Sequence, residues 1–357
     1  MSQSLIRVLH MANSLSLGGT EKVMQLLVAN LDRSRFLPAV YSPVDGERAT
    51  QIRALGIDTY VGGDLLRTLD AFKPHIVHIH RAGWPEPGLL KPVRLAGVPV
   101  VFETNVFGRH DPSPIAEIID TTLFVSKFCQ DRFARMHGIE AVPPRYGYLY
   151  NPVDTDFFRE HAERDRDFSS PCVGRISRAD PGKWSRLALD ILPALVRDVP
   201  GFRYHVIGGI PEAFDFVRTH GLEEAVVFHE PVRSDAQVAE FLDNVSLLAH
   251  ANDTGESFGL VIAEAMACGL PVVTHPCEGL RDNAQLELVD HGETGLVAAT
   301  TDEYVNAVKF LLAHPEEARR MGEAGRKKAA RLYRAQVIAR QLETLYLEQL
   351  ARKGISI

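Results

Sequence analysis

Two carboxylates separated by seven residues, Glu256 and Glu264, mark the run Glu256-Ser-Phe-Gly-Leu-Val-Ile-Ala-Glu264-Ala-Met-Ala-Cys-Gly-Leu-Pro-Val-Val273. Glu264 has apolar or small neighbours on every side, and a helix with no polar face belongs in a core. A carboxylate buried there is destabilising by several kcal/mol unless a donor meets it. The donor is either a group of the protein, which makes Glu264 a core residue and nothing more, or a ligand hydroxyl. If the helix starts at Ser257, Glu264 lies roughly 10 Å and about two turns along it, at ~1.5 Å per residue. The two acids then cannot grip one atom. Glu256 reaches a group at the helix N-terminus and Glu264 a group beside the helix. A sugar, a diphosphate and a ribose joined in sequence have that shape.

Cations of the matching kind stand in Gly174-Arg175-Ile-Ser-Arg-Ala-Asp-Pro-Gly-Lys183, directly after a strand-like run. Arg175 offers a planar fork of donors and Lys183 a compact charge. Together they suit a diphosphate leaving group; a surface ion pair with Asp180 is the plainer alternative. Gly18-Gly19 lie between the first strand pattern and the first helix pattern. Glycines there let a backbone approach a ligand, and the helix N-terminus offers free N–H groups. With neither GxGxxG nor a Walker lysine, a plain turn explains them equally well. Residues 255–259 make a third such corner, with Ser257, Phe258, Gly259 and Leu260 at the entrance to the helix of Glu264. Asp154-Thr-Asp156 and Asp165-Arg-Asp167 have the DxD spacing of metal-binding pairs but flank a linker. We read both as structural and expect no metal and no other cofactor.

These residues need a frame, and short β-like runs alternating with amphipathic segments supply it. The runs are Leu5–Met11, Leu37–Tyr41, Ile57–Val61, Ile76–His80, Val98–Phe102, Leu123–Val125 and Tyr148–Tyr150. After a polar stretch at 159–170 they resume as Cys172–Ile176, Phe202–Ile207, Ala225–Phe228, Val245–Ala249, Pro271–Thr274 and Leu296–Ala298. Alternation of this kind predicts parallel βαβ units. The expected architecture is α/β, with two Rossmann-like domains facing a central cleft and ligands at the carboxyl ends of the strands. The boundaries fall at 1–165, 166–334 and a terminal helical segment 335–357.

Composition sets outer limits. A chain of 357 residues with 45% hydrophobic and 24% charged residues suits about two soluble domains. A net charge of −7 gives no support to nucleic acid as a partner. Cys129, Cys172, Cys268 and Cys277 lack metal or disulfide spacing and read as reduced packing residues. No signal-peptide core or membrane-spanning run is evident. The expectation is a cytoplasmic protein, whose contact with the inner membrane face, if any, is peripheral.

In order and spacing, five motifs resemble the family-four retaining glycosyltransferases of GT-B architecture. They are Gly18-Gly-Thr-Glu21, Tyr150-Asn-Pro-Val-Asp-Thr-Asp-Phe157, Gly174-Arg175 with Lys183, the Glu256–Val273 block, and Glu287-Leu-Val-Asp-His-Gly-Glu-Thr-Gly-Leu-Val297. The resemblance implies a nucleotide sugar held mainly by the C-terminal domain. Glu256 would bind hydroxyls of the donor sugar and Glu264 the ribose. Arg175 and Lys183 would stabilise the departing diphosphate without a metal, with Phe258, Gly259 and Leu260 holding sugar and phosphate through their backbone. A glycan, lipid or small-molecule acceptor would enter from the N-terminal domain, onto which the terminal helix crosses back. Two departures stand out. Asn105 occupies about the place where family members often carry a histidine, with His80 and His110 as partial substitutes, and the loop from Arg175 to Lys183 is longer than usual. Two other classes stay open: a nucleotide-sugar epimerase of the same fold, and a sugar-nucleotide-binding subunit without catalysis.

Overall fold

The protein is described by a computed structural model over residues 5–162 and 166–355. Asp165 of the second DxD pair lies outside the described residues. The chain forms two compact units, Met1–Pro152 with Ala335–Ile357, and Val153–Arg334.

The first unit is a parallel sheet of β1 (Ile6–Ala12), β2 (Phe36–Ser42), β3 (Asp58–Val61), β4 (Ile76–Arg81), β5 (Val100–Asn105), β6 (Thr121–Phe124) and β7 (Tyr146–Tyr148). Its order is β3-β2-β1-β4-β5-β6-β7, so the direction of winding reverses between β1 and β4. β4 and β5 are buried at every position, as strands covered on both faces must be. The last helix, Ala335–Arg352, packs on this sheet. Glu343 accepts from the Asp32 backbone N–H at 2.7 Å, and the Tyr346 hydroxyl lies 2.6 Å from His78 Nδ1.

The second unit repeats the plan with β8 (Cys172–Ile176), β9 (Arg203–Ile207), β10 (Val226–His229), β11 (Leu247–His250), β12 (Val272–Thr274) and β13 (Gly295–Val297). The order β10-β9-β8-β11-β12-β13 reverses between β8 and β11. On one face of this sheet the core gathers Val173, Tyr204, Val206, Leu247 and Val273 from the strands, with Leu192 and Tyr304 from the helices that cover them.

Every strand read from the sequence is present, displaced by at most a few residues. One element differs in a way that matters. The helix of Glu264 runs Leu260–Ala267 and does not begin at Ser257. Gly259 caps it at φ +106°, outside the helical region, so Ser257, Phe258 and Gly259 form a turn. Glu264 therefore stands little more than one turn into the helix. No helix among the described residues is long and apolar enough to cross a membrane.

Candidate active site

The crevice where a doubly wound sheet reverses is the usual place for a ligand. In the second unit it lies beyond β8 and β11, and the sequence puts Arg175, Lys183 and Glu256 there. Lys183 ends a short turn whose Gly182 N–H donates to Asp180 at 2.9 Å, and Thr254 Oγ1 ties Gly182 O at 2.9 Å. Its Nζ sits 3.1 Å from both carboxylate oxygens of Glu256. Glu256 Oε1 also accepts from Asn252 Nδ2 at 2.7 Å and lies 3.2 Å from His250 Nε2. Burial alone would raise the Glu256 pKa. The His250 hydrogen bond and the Lys183 charge outweigh it and bring the pKa to about 2. His250 is itself held below its ordinary value, chiefly by burial. The pair keeps 26% (Lys183) and 14% (Glu256) of its side-chain surface exposed, so a fixed cation and a fixed anion meet at a reachable point.

Arg175 behaves differently. Its side chain is fully buried. It donates to Ala251 O at 2.8 Å and to Lys183 O, and its guanidinium lies 4.2 Å from the centre of the Trp184 ring. Burial depresses its pKa. As placed, Arg175 fixes the backbones on either side of the crevice, and Lys183 alone of the two cations is exposed to it. The turn below is built to one shape. Gly255 has φ +69°, and a Cβ there would collide with the Asp282 carbonyl. Glu256 N–H donates to Gln285 Oε1 at 3.1 Å, and Ser257 Oγ donates to Asp282 at 2.6 Å. Phe258 turns inward, edge-on to Tyr333 at 5.3 Å, so only its backbone and the half-buried Leu260 border the turn. Glu264 is 6% exposed on the buried side of its helix.

Residues 154–328 match the family described as glycosyl transferases group 1. The second unit is a group 1 glycosyl transferase domain. The chain is 32% identical over 221 residues to a GDP-mannose-dependent alpha-(1-6)-phosphatidylinositol monomannoside mannosyltransferase of Mycolicibacterium smegmatis, covering 58% of this chain and 56% of that protein. It is 29% identical over 294 residues to a D-inositol 3-phosphate glycosyltransferase of Segniliparus rotundus, covering 73% and 64%. The chain thus spans between about half and two thirds of the length of these two relatives. Among solved structures, the Anabaena HepE protein in complex with UDP and glucose superposes with TM-score 0.76 at 20% identity, over 96% of this chain and 99% of that one. Sucrose-phosphate synthase from Thermosynechococcus elongatus gives 0.70 at 17%, over 97% and 100%. These likenesses show the fold, and it is GT-B.

Outside the transferase domain, Gly18 caps the helix Gly19–Asn30, and a Cβ on it would strike the Glu21 carboxylate, which accepts from Ser14 Oγ at 2.9 Å. Asn105 is buried. Its Nδ2 donates to Arg109 O at 2.8 Å, closing the loop after β5. His110, exposed on that loop, faces His137 with ring centres 5.4 Å apart. His80 is 1% exposed. Its Nε2 meets His10 Nδ1 at 3.0 Å and its ring stacks on His78 at 4.5 Å. Burial lowers its pKa to about 3. His10, His78 and His80 could be taken for metal ligands by proximity. Their nitrogens already have protein partners: His80 Nε2 faces His10 Nδ1, and His78 bonds Tyr346 and Thr104 at 2.6 and 2.8 Å. Of the DxD acids, Asp154 caps the helix Thr155–Glu160 and Asp156 pairs with Arg334 at 2.7 Å.

Sequence reasoning missed His250, Asn252 and Gln285, which hold Glu256. The available signal was two polar residues at the carboxyl end of an otherwise apolar strand, directly before the glycine turn.

Proposed function

We propose that the chain transfers a glycosyl group from a nucleoside-diphosphate sugar to an acceptor, with retention of configuration and without a metal ion. The observation that carries this reading is the reachable contact between Lys183 and Glu256 at the reversal point of a glycosyl transferase domain. Each is the other's placeholder. A diphosphate draws Lys183 away, and sugar hydroxyls donate to the carboxylate it leaves, which His250 and Asn252 keep in position. In transfer, the bond from the anomeric carbon to the diphosphate oxygen breaks and a bond to the acceptor oxygen forms. The acceptor proton ends on the departing diphosphate or in solvent. Negative charge grows on the leaving group, and a fixed cation beside helix-end N–H groups stabilises it more than the ground state. Arg175 serves as a positioning residue that sets the Lys183 backbone, and Glu264 meets the ribose. The relatives above are named for GDP-mannose and for inositol acceptors and a structural neighbour was solved with UDP, which together support a nucleotide-linked donor.

The test is turnover of UDP- and GDP-sugars with an acceptor panel in EDTA, with the product anomer read by NMR. An unchanged rate in EDTA and a product of the donor's anomeric configuration are expected. Loss of rate in EDTA overturns the metal-free reading, an inverted product overturns retention, and an epimerised donor formed without acceptor overturns transfer.

A further inference from the structure

The chain has two tryptophans. Trp184 is buried against Arg175, but Trp84 is 51% exposed on the loop after β4. That loop lies at the carboxyl ends of the parallel strands, next to the reversal point of the first sheet. A lone exposed apolar residue needs no explanation. The way this one is held does.

Arg81, 2% exposed, donates from Nη1 to Trp84 O at 2.5 Å. The same guanidinium contacts Glu103 at 2.7 Å and Asp111 at 2.8 Å, and Glu103 also accepts from Thr122 at 2.8 Å. Gly83, at φ +89°, sits so close to Asn105 and the Arg109 carbonyl that a Cβ would collide with both. Arg109, whose loop Asn105 closes, lays its guanidinium 3.9 Å from the centre of the Trp84 ring. Two residues beyond Trp84, Glu86 accepts from Asn13 of the loop after β1. A buried arginine with two acids adds little net stability over an apolar filling. Its effect here is to lock two loops into one conformation and to hold an indole rigidly in the open, as a preorganised contact requires.

We propose that Trp84, backed by Arg109, is a stacking platform for a pyranoside ring of the acceptor, so that the chain extends a sugar already in place. This rests on the transfer reaction proposed above. Arg109 covers one side of the indole and leaves much of the rest to solvent. A pyranose presents a face of C–H groups whose partial positive charge suits the negative face of an aromatic ring. An acyclic polyol has the same hydroxyls and no such face.

The test is saturation-transfer NMR on the full chain with methyl gluco-, galacto- and mannopyranosides, with mannitol as control and UDP and GDP as donor-side probes. Wild type should show a signal from at least one pyranoside and none from mannitol. Trp84→Ala should weaken pyranoside binding about tenfold, the range of one aromatic contact, and Trp84→Tyr should restore most of it. Both variants should keep the nucleotide signal and the unfolding midpoint. Equal pyranoside signals in wild type and Trp84→Ala overturn the platform, as does silence from every pyranoside while UDP or GDP still binds. Silence from both nucleotides overturns the donor reading instead, and leaves a Trp84-dependent pyranoside signal to stand by itself.

Discussion

Lys183 and Arg175 carry the same charge yet have different work, and the difference can be measured. Lys183 is partly exposed and, among the described residues, its ammonium pairs with Glu256 alone. Arg175 is sealed in, with its guanidinium on two backbone carbonyls and an indole. Lys183→Ala should lower turnover about a hundredfold or more, as loss of one charge-stabilising donor typically does, with the smaller loss of stability of the two, because His250 and Asn252 still hold the Glu256 carboxylate. Arg175→Ala should lower turnover by a similar order and also destabilise the fold, because two buried carbonyls lose their donor at about 1–3 kcal/mol each. Chemical denaturation beside steady-state kinetics separates the two. Full stability in Arg175→Ala would return Arg175 to a direct role at the diphosphate. The sequence made Arg175 and Lys183 legible as cations after a strand, but it could not say that one points inward. Charge type is written in the chain, whereas exposure is set by Trp184 and Ala251 packing around it.

The decisive element is the glycine turn before the helix Leu260–Ala267. A Gly255→Ala change forces a Cβ into the Asp282 carbonyl at a left-handed φ of +69°. It should abolish turnover and lower stability by about 1–3 kcal/mol, whereas Gly279→Ala, at φ +68° with open space around it, should spare turnover. Normal activity in Gly255→Ala would remove the turn from the account. Strands were legible because β-branched and aromatic runs recur with turn residues between them. The helix start was not, since Ser257-Phe258 reads as helix until Gly259 is known to be left-handed. Arg81 and Glu103 were overlooked although a charge within an apolar strand is the same signal that singled out Glu264. The imidazoles of β1 and β4 make a second element-level prediction. His10, His78 and His80 all have pKa values lowered mainly by burial. The unfolded chain then binds more protons, so this stability is fully present above a pH of ~6.5 and is lost as pH falls. For His80 alone the loss at pH 5 is about 2 kcal/mol, from ~1.5 pH units at ~1.4 kcal/mol each. Urea unfolding at pH 7 and pH 5 should show it, and His80→Gln should flatten the slope. Equal stability at both pH values would mean that the cluster is hydrated.

At the scale of the molecule, two parallel sheets reverse direction once each, and each reversal point carries its own chemistry. The first presents a locked indole above a buried ionic network; the second presents a cation and a carboxylate held in register. The GT-B plan was legible from the alternation of strands and helices and from the Glu256–Val273 block. Identity of base, sugar and acceptor was not, because those depend on loop side chains whose positions no periodicity encodes. Glycosyl transfer by this chain depends on the second reversal point holding a diphosphate. Titration calorimetry of UDP- and GDP-sugars in EDTA, against wild type and Lys183→Ala, addresses that point directly. Saturable binding of at least one nucleotide sugar, weakened tenfold or more in Lys183→Ala, is the expected result. Binding that Lys183→Ala leaves intact, or no binding of any nucleotide sugar, would contradict the account.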